Sequence, residues 1–297
     1  MCSGYARRPM SSIAVLGANG VYARHLIPRL IARGHHVRAL VRRPEAAGLA
    51  RACGADVRQA DIFDAASLHS GLAGCELAIN LATSLPGPSG RGDFAANDHL
   101  RRTGTPIWLE ACRRAQVQRI LQQSIAMVNA AQGGGWSDED TAFSGAMDAL
   151  AQRAIDAALA MEDSARNAGL ACLILRGALF YGPGTGFDDD WFARAKAGKL
   201  RMPGDGEAYV SLIHIADMAE ATLAAIENWT PGTFIVADDG PARWREVLSY
   251  VAQQLGVDAP APGGRLGFAS FRVRNARARA AFGWKPHYAD YRQGLVR

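Results

Sequence analysis

Short apolar runs alternate with longer stretches in which apolar residues recur every three or four positions, and this rhythm organises the chain as far as Arg176. The run Ile13-Ala14-Val15-Leu16 reads as a buried strand, and the spacing of Val21, Leu26, Leu30 and Ile31 predicts a helix to about Arg33, stopped by Gly34. Further strands are expected at 36–41, 55–59, 76–81, 119–123 and 171–175, with helices at 44–53, 65–72, 97–115 and 146–167. Strand and helix alternating at this spacing predict an α/β fold built on a parallel, doubly wound sheet.

Beyond Arg176 the rhythm breaks. Gly182-Pro183-Gly184-Thr185-Gly186 opens an irregular stretch, whereas 210–213, a helix at 216–227 and a strand at 233–236 are expected to return to the main sheet. Helices at 244–255 and 274–282 fall to a smaller lobe. The expected division is a cofactor domain of 1–176 plus about 210–237, and a smaller C-terminal substrate domain of about 177–209 plus 238–297. Two segments read as mobile loops, 85–93 by its glycines and prolines and 132–141 by its three glycines and following polar residues.

The chemistry starts where the first strand ends. Gly17 and Gly20, in Gly17-Ala18-Asn19-Gly20-Val21-Tyr22-Ala23, supply a tight turn and a close approach to the main chain, and the N–H groups of the following helix favour a phosphate. The second strand runs into Arg42 and Arg43 where an acidic residue would accept the ribose hydroxyls of NAD. Two guanidinium groups there favour a 2′-phosphate, so the expected cofactor is NADP(H) in preference to NAD(H). Asp61 is placed to accept from the adenine amino group with the Ile62 backbone along the ring, unless it only caps the next helix. Leu81, Ala82 and Thr83, at the end of the fourth strand, pass beside the dinucleotide.

Composition narrows the class. With 297 residues, 49% hydrophobic and 21% charged, the chain is an ordinary globular protein. Its net charge of +5 is spread without a basic stripe, so no nucleic-acid partner is expected. No apolar stretch reads as a membrane span. Residues 1–11 read as a loose leader without a secretory core, Met10 being an alternative start. The odd, widely spaced cysteines read as reduced residues of a cytoplasmic protein, and no metal-ligand spacing occurs.

Taken together, Gly17-x-x-Gly20-x-x-Ala23, Ala60-Asp61, Arg176 followed by Phe180-Tyr181-Gly182-Pro183-Gly184, His214-Ile215-Ala216-Asp217 and Gly283-Trp284-Lys285-Pro286 resemble the short-chain dehydrogenase/reductase superfamily, in its extended epimerase and dehydratase branch. The resemblance implies a Rossmann domain, a small lobe closing over the substrate, contact of Phe180 with the cofactor, and a homodimer through the long helices near 97–115 and 146–167. It also implies a Tyr-x-x-x-Lys pair, and here the chain departs. No tyrosine has a lysine four residues later; if Glu162 matches the glutamate that follows that lysine by four, the pair falls on Ala154 and Ala158. The pattern resembles the atypical members that keep the cofactor fold without the pair.

Ser124 is the hydroxyl nearest the expected substrate position, and Tyr22 and Tyr181 are the candidate replacement acids, each with a packing role as the alternative. The expected activity is that of an NADP(H)-binding oxidoreductase acting on a small or medium organic carbonyl, alcohol or related substrate. A non-catalytic NADP(H) sensor and a nucleotide-sugar epimerase or dehydratase are the competing readings.

Overall fold

The computed structural model describes residues 10–85, 92–145, 149–265, 267 and 269–295. Residues 1–9 of the leader, most of the 85–93 loop and the expected helix start at 146–148 lie outside the described residues.

Seven parallel strands form the central sheet: β1 (Ser12–Leu16), β2 (His36–Val41), β3 (Asp56–Gln59), β4 (Leu77–Asn80), β5 (Arg119–Ile125), β6 (Ala171–Gly177) and β7 (Gly232–Val236). Their order is β7-β6-β5-β4-β1-β2-β3, so the chain reverses direction across the sheet between β1 and β4. A crevice opens at such a reversal, outside the carboxyl ends of the strands. Both faces are covered, which is why the central strands read as unbroken apolar runs. α1 (Val21–Ala32) and α8 (Ile215–Glu227) pack together on one face. On the other lie α3 (Ala65–Leu72), α5 (Thr105–Arg114) and α6 (Ala149–Arg166). The remaining helices are α2 (Gly48–Ala52), α4 (Phe94–His99), α7 (Phe187–Lys196), α9 (Trp244–Gln254), α10 (Ala276–Phe282) and α11 (Tyr291–Gly294).

Four expectations change in detail. The helix expected at 44–53 divides into a 3-10 turn at Pro44–Ala46 and the short α2. The helix expected at 97–115 begins earlier and is interrupted by a π-helical turn at Leu100–Gly104, between α4 and α5. Residues 210–213 do not join the main sheet: Tyr209–Val210 pairs with Ala242–Arg243, and Leu212–His214 pairs with Leu179–Tyr181.

The segment 132–141, expected to be mobile, is tied down. Trp136–Ser137 pairs with Arg272–Val273, and the Glu139 carboxylate accepts from the Ile235 amide at 2.8 Å. Asn129 Nδ2 donates to the Thr141 carbonyl at 2.7 Å. Strand β7 joins the sheet edge beside β6, as expected.

Candidate functional site

At the crevice, the glycine turn is shaped by two contacts. Gly17 has φ +77°, and a Cβ there would stand 2.9 Å from the backbone of Ala82, the residue following β4 and Leu81. The Gly20 amide donates to the Gly17 carbonyl at 2.9 Å and closes the turn. Gly20 is the N-cap of α1 but offers no side-chain cap, and no acidic residue sits in the first turn. The N–H groups of Val21 and Tyr22 therefore head a helix whose positive end faces the crevice without a protein anion. An open turn, a bare helix start and close passage by Ala82 fit a dinucleotide pyrophosphate.

At the ends of β2 and β3 lies a cleft of about 340 Å³ lined by Arg42, Gln59, Ala60, Asp61, Asp64 and Ser67. Arg42 and Arg43 are exposed, and among the described residues neither guanidinium has an acidic partner. Gln59 Nε2 donates to the Arg42 carbonyl at 3.4 Å, a long contact between β3 and the end of β2. Capping of α3 falls to Asp64, which accepts from the Ala66 amide at 3.0 Å. Asp61 accepts from the Phe63 amide at 3.0 Å, while its own amide donates to Ser67 Oγ at 3.2 Å, so its carboxylate stays at the cleft wall. The Ile62 side chain is buried against Gly104.

The chain after β4 is held by Asn80, whose Oδ1 accepts from the Ala82 amide at 3.1 Å while Nδ2 donates to Gln122 on β5 at 3.0 Å. The Ser84 amide donates to Asn97 Oδ1 on α4 at 3.0 Å. Leu81, Ala82 and Thr83 are thereby fixed beside the glycine turn.

After β5, side-chain direction separates residues that a sequence places together. Ser124 is completely buried, with its hydroxyl turned toward the Glu162 carboxylate and short of good hydrogen-bond geometry. The next residue, Ile125, packs with Val128, Ile155 and Ala158. Ala158 is fully buried in this apolar cluster. Ala154 is half-buried, and its carbonyl accepts from Arg101 Nη1 at 3.0 Å.

Glu162 is locked by Arg176 at 2.6 and 2.9 Å and by Arg166 at 2.5 Å, while Arg176 Nη1 donates to Asn129 at 2.8 Å. Burial raises the Glu162 pKa, but hydrogen bonds and charge from Arg176 outweigh it and hold the group below the ordinary carboxylate range.

The two candidate tyrosines have their hydroxyls in the core. Tyr22 contacts Thr222 on α8 through its OH and meets Phe180 edge-on at 5.6 Å. Tyr181 is fully buried, its OH without a partner, with its ring edge-on to His214 at 5.2 Å. Desolvation raises both phenols well above their ordinary range. Phe180 is half-buried beside the glycine turn through Tyr22. His214 caps α8, Nδ1 accepting from the Ala216 amide at 3.3 Å, and burial lowers its pKa to about 4. A Cβ on Gly182 would stand 2.5 Å from His214 Nε2, so the Gly182–Gly186 loop lies directly on this ring. Asp188 braces the same loop, accepting from the Gly182 amide at 3.2 Å and Thr185 Oγ1 at 3.0 Å.

Sequence reasoning did not single out Arg101, Asn129, Glu139 or Thr222. Their roles come from partners far along the chain, and only the Thr105-Pro106 step hinted that the helix around Arg101 changes its winding. Among the described residues no group of histidine, cysteine and carboxylate is arranged to hold a metal, and no helix is long and apolar enough to cross a membrane.

A parallel sheet of this order, with a glycine turn at its point of reversal, defines a Rossmann-type NAD(P)-binding fold. The chain belongs to the NAD dependent epimerase/dehydratase family, which matches residues 13–237. It is 35% identical to a 3-diazoavenalumate denitrifying reductase from a Streptomyces species, over 96% of this chain and 99% of that protein. It is 28% identical to a 4-hydroxy-2-methyl-3-oxo-4-farnesyl-3,4-dihydroquinoline-1-oxide ketoreductase from Stigmatella aurantiaca, over 82% of this chain and 73% of that protein. Among solved structures it shares its fold with MoeE5 in complex with UDP-glucuronic acid and NAD, at a TM-score of 0.76 and 24% identity over 96% of both chains.

Proposed function

We propose that this chain is an NADP(H)-dependent reductase that transfers hydride to a small or medium organic acceptor without a tyrosine and lysine pair. The observation that carries the reading is the packing after β5: Ile125, Val128 and Ala158 form one buried apolar cluster, so the position that the resemblance gives to the lysine of the pair carries no proton-transferring group. When bound, NADPH supplies the hydride from its nicotinamide ring.

The chain's own residues bind and orient. The Gly17–Gly20 turn and the amides of Val21 and Tyr22 hold the pyrophosphate, Arg42 and Arg43 hold the 2′-phosphate, and Asp61 accepts from the adenine amino group. Leu81, Ala82, Thr83 and Phe180 close on the cofactor, and the segments 177–209 and 238–297 hold the substrate. Ser124, Tyr22 and Tyr181 keep packing roles, because their hydroxyls are buried and, for the two tyrosines, burial holds the phenol neutral.

A carbonyl accepting hydride becomes an alkoxide that needs a proton, whereas some acceptors need none. At an aryldiazonium carbon the hydride forms a C–H bond while the C–N electron pair leaves with dinitrogen, and no proton is consumed. The similarity to a denitrifying reductase of a diazo compound supports that class, and the similarity to a ketoreductase supports a carbonyl protonated from solvent.

The test is anaerobic turnover of NADPH deuterated at C4 with aldehydes, ketones, enones and an aryldiazonium salt. Deuterium is expected in the reduced product, with the diazonium salt the fastest acceptor. Cofactor binding without label transfer to any of them contradicts the reading in favour of a sensor.

A further inference from the structure

The π-helical turn at Leu100–Gly104 carries a buried cation whose partners are incomplete. Arg101 is 4% exposed, and its one hydrogen bond among the described residues runs from Nη1 to the Ala154 carbonyl at 3.0 Å. Among the described residues no carboxylate lies within ion-pair distance of it. Asp98, on α4, and Glu162, on α6, act on it only through space. Asp98 is itself buried with Oδ1 unpartnered, and Glu162 is committed to Arg166 and Arg176. Burial has lowered the Arg101 pKa to about 10, which leaves it charged at neutral pH.

A guanidinium removed from water, with a single neutral acceptor, is costly unless an anion completes its shell. Satisfying the α6 backbone would need only an amide or hydroxyl donor, so the contact with Ala154 does not account for the charge. The location does: with Glu162 matched to the family's glutamate, Ala154 is the position that the resemblance gives to the proton donor, one helical turn before Ala158, which packs on Ile125. Alanine at 154 presents only a methyl group on this turn of α6, in place of the phenol that the resemblance implies.

We propose that Arg101 anchors a carboxylate of the substrate, and that the reductase therefore selects anionic acceptors, its charge fixing one end of the molecule. A planar fork of N–H donors matches a carboxylate and supplies orientation as well as attraction. The π turn is what brings the side chain there, since the extra residue rotates position 101 toward α6, as such turns do at functional sites. This inference rests on the reductase reading only for the identity of the ligand as substrate.

Calorimetric titration of the full chain tests it, with and without saturating NADP+, using benzoate, cinnamate and hexanoate, each against its methyl ester. At least one acid is expected to bind about tenfold or more tightly than its ester, the worth of a charged hydrogen bond. Arg101→Met is expected to reduce that ratio to about one, and Arg101→Lys to keep part of it, with NADPH affinity unchanged in both. No acid preference in the unaltered protein overturns the proposal even if every variant fails to fold. A preference that survives Arg101→Met, or acid and ester affinities that fall together, does so as well. Absence of NADPH binding counts against the reductase reading alone, because the acid and ester comparison is also made without cofactor.

Discussion

Gly17 concentrates two demands in one residue, a left-handed backbone and the absence of a Cβ that would stand 2.9 Å from Ala82. Gly17→Ala is expected to lower stability by about 1–3 kcal/mol and to abolish NADPH binding, measured by denaturant unfolding and fluorescence titration. At the other end of the crevice, Arg42→Ala combined with Arg43→Ala should weaken NADPH about tenfold or more while sparing NADH. Equal losses for both cofactors would mean the arginines serve folding.

His214 gives a pH signature. Its folded pKa of about 4 lies below the ordinary histidine value, so it is neutral in the native protein while the unfolded chain takes up a proton. Stability should therefore fall as pH drops from about 6.5 toward 4, by up to about 3 kcal/mol, and His214→Gln should remove that slope. Tyr181, Tyr288, His25, Arg29 and His287 surround or act on the ring, and none is an anion at these pH values. Asp217 and Asp238 have raised pKa values from burial and work in the opposite sense, so the comparison is between parent and variant unfolding at each pH.

At the residue scale, the glycines and the arginine pair were legible because a turn and a strand end are local. Tyr22 and Tyr181 were legible as aromatic neighbours of the site. The direction of their hydroxyls was not, since it depends on Thr222 and on packing against the His214 ring.

Elements position the reacting end through one clamp: Glu162 on α6, Arg176 on β6 and Asn129 after β5. Glu162→Gln leaves Arg176 buried without a counter-charge and is expected to cost about 3–5 kcal/mol in thermal or urea unfolding; a loss below about 1 kcal/mol would contradict the clamp. Most strands and helices were readable from periodicity because each buries a face of its own. Two features were not. The π turn between α4 and α5 keeps a helical apolar spacing, so only the Thr105-Pro106 step hints at it. The segment 132–141 looks like a loop by its glycines, yet it is fixed by Ile235 and by pairing with Arg272–Val273, partners about a hundred or more positions away. Its anchoring turns on Glu139, a polar residue that pattern reading assigns to solvent.

Across the whole molecule, one packed cluster runs from Ile13 in β1 through Trp191, Trp244 and Phe271 to Leu295 at the C-terminal end. Residues from both expected lobes therefore share a core, and unfolding is expected as a single cooperative transition by circular dichroism and tryptophan fluorescence together. Separate transitions for the two probes would show independent domains. The parallel sheet and its crevice were legible because strand and helix alternate. The closing lobe was not, since its short strands pair across long separations: Tyr209–Val210 and Leu212–His214 look like continuations of the sheet but meet Ala242–Arg243 and Leu179–Tyr181.

If the glycine turn and two arginines without an acidic partner among the described residues make this crevice a site for NADP(H), titration of the unaltered protein with NADPH and NADH under the same conditions will show it. The account predicts saturable binding of both, with NADPH at least about tenfold tighter. NADH binding as tightly as NADPH, or no saturable binding of either, contradicts it.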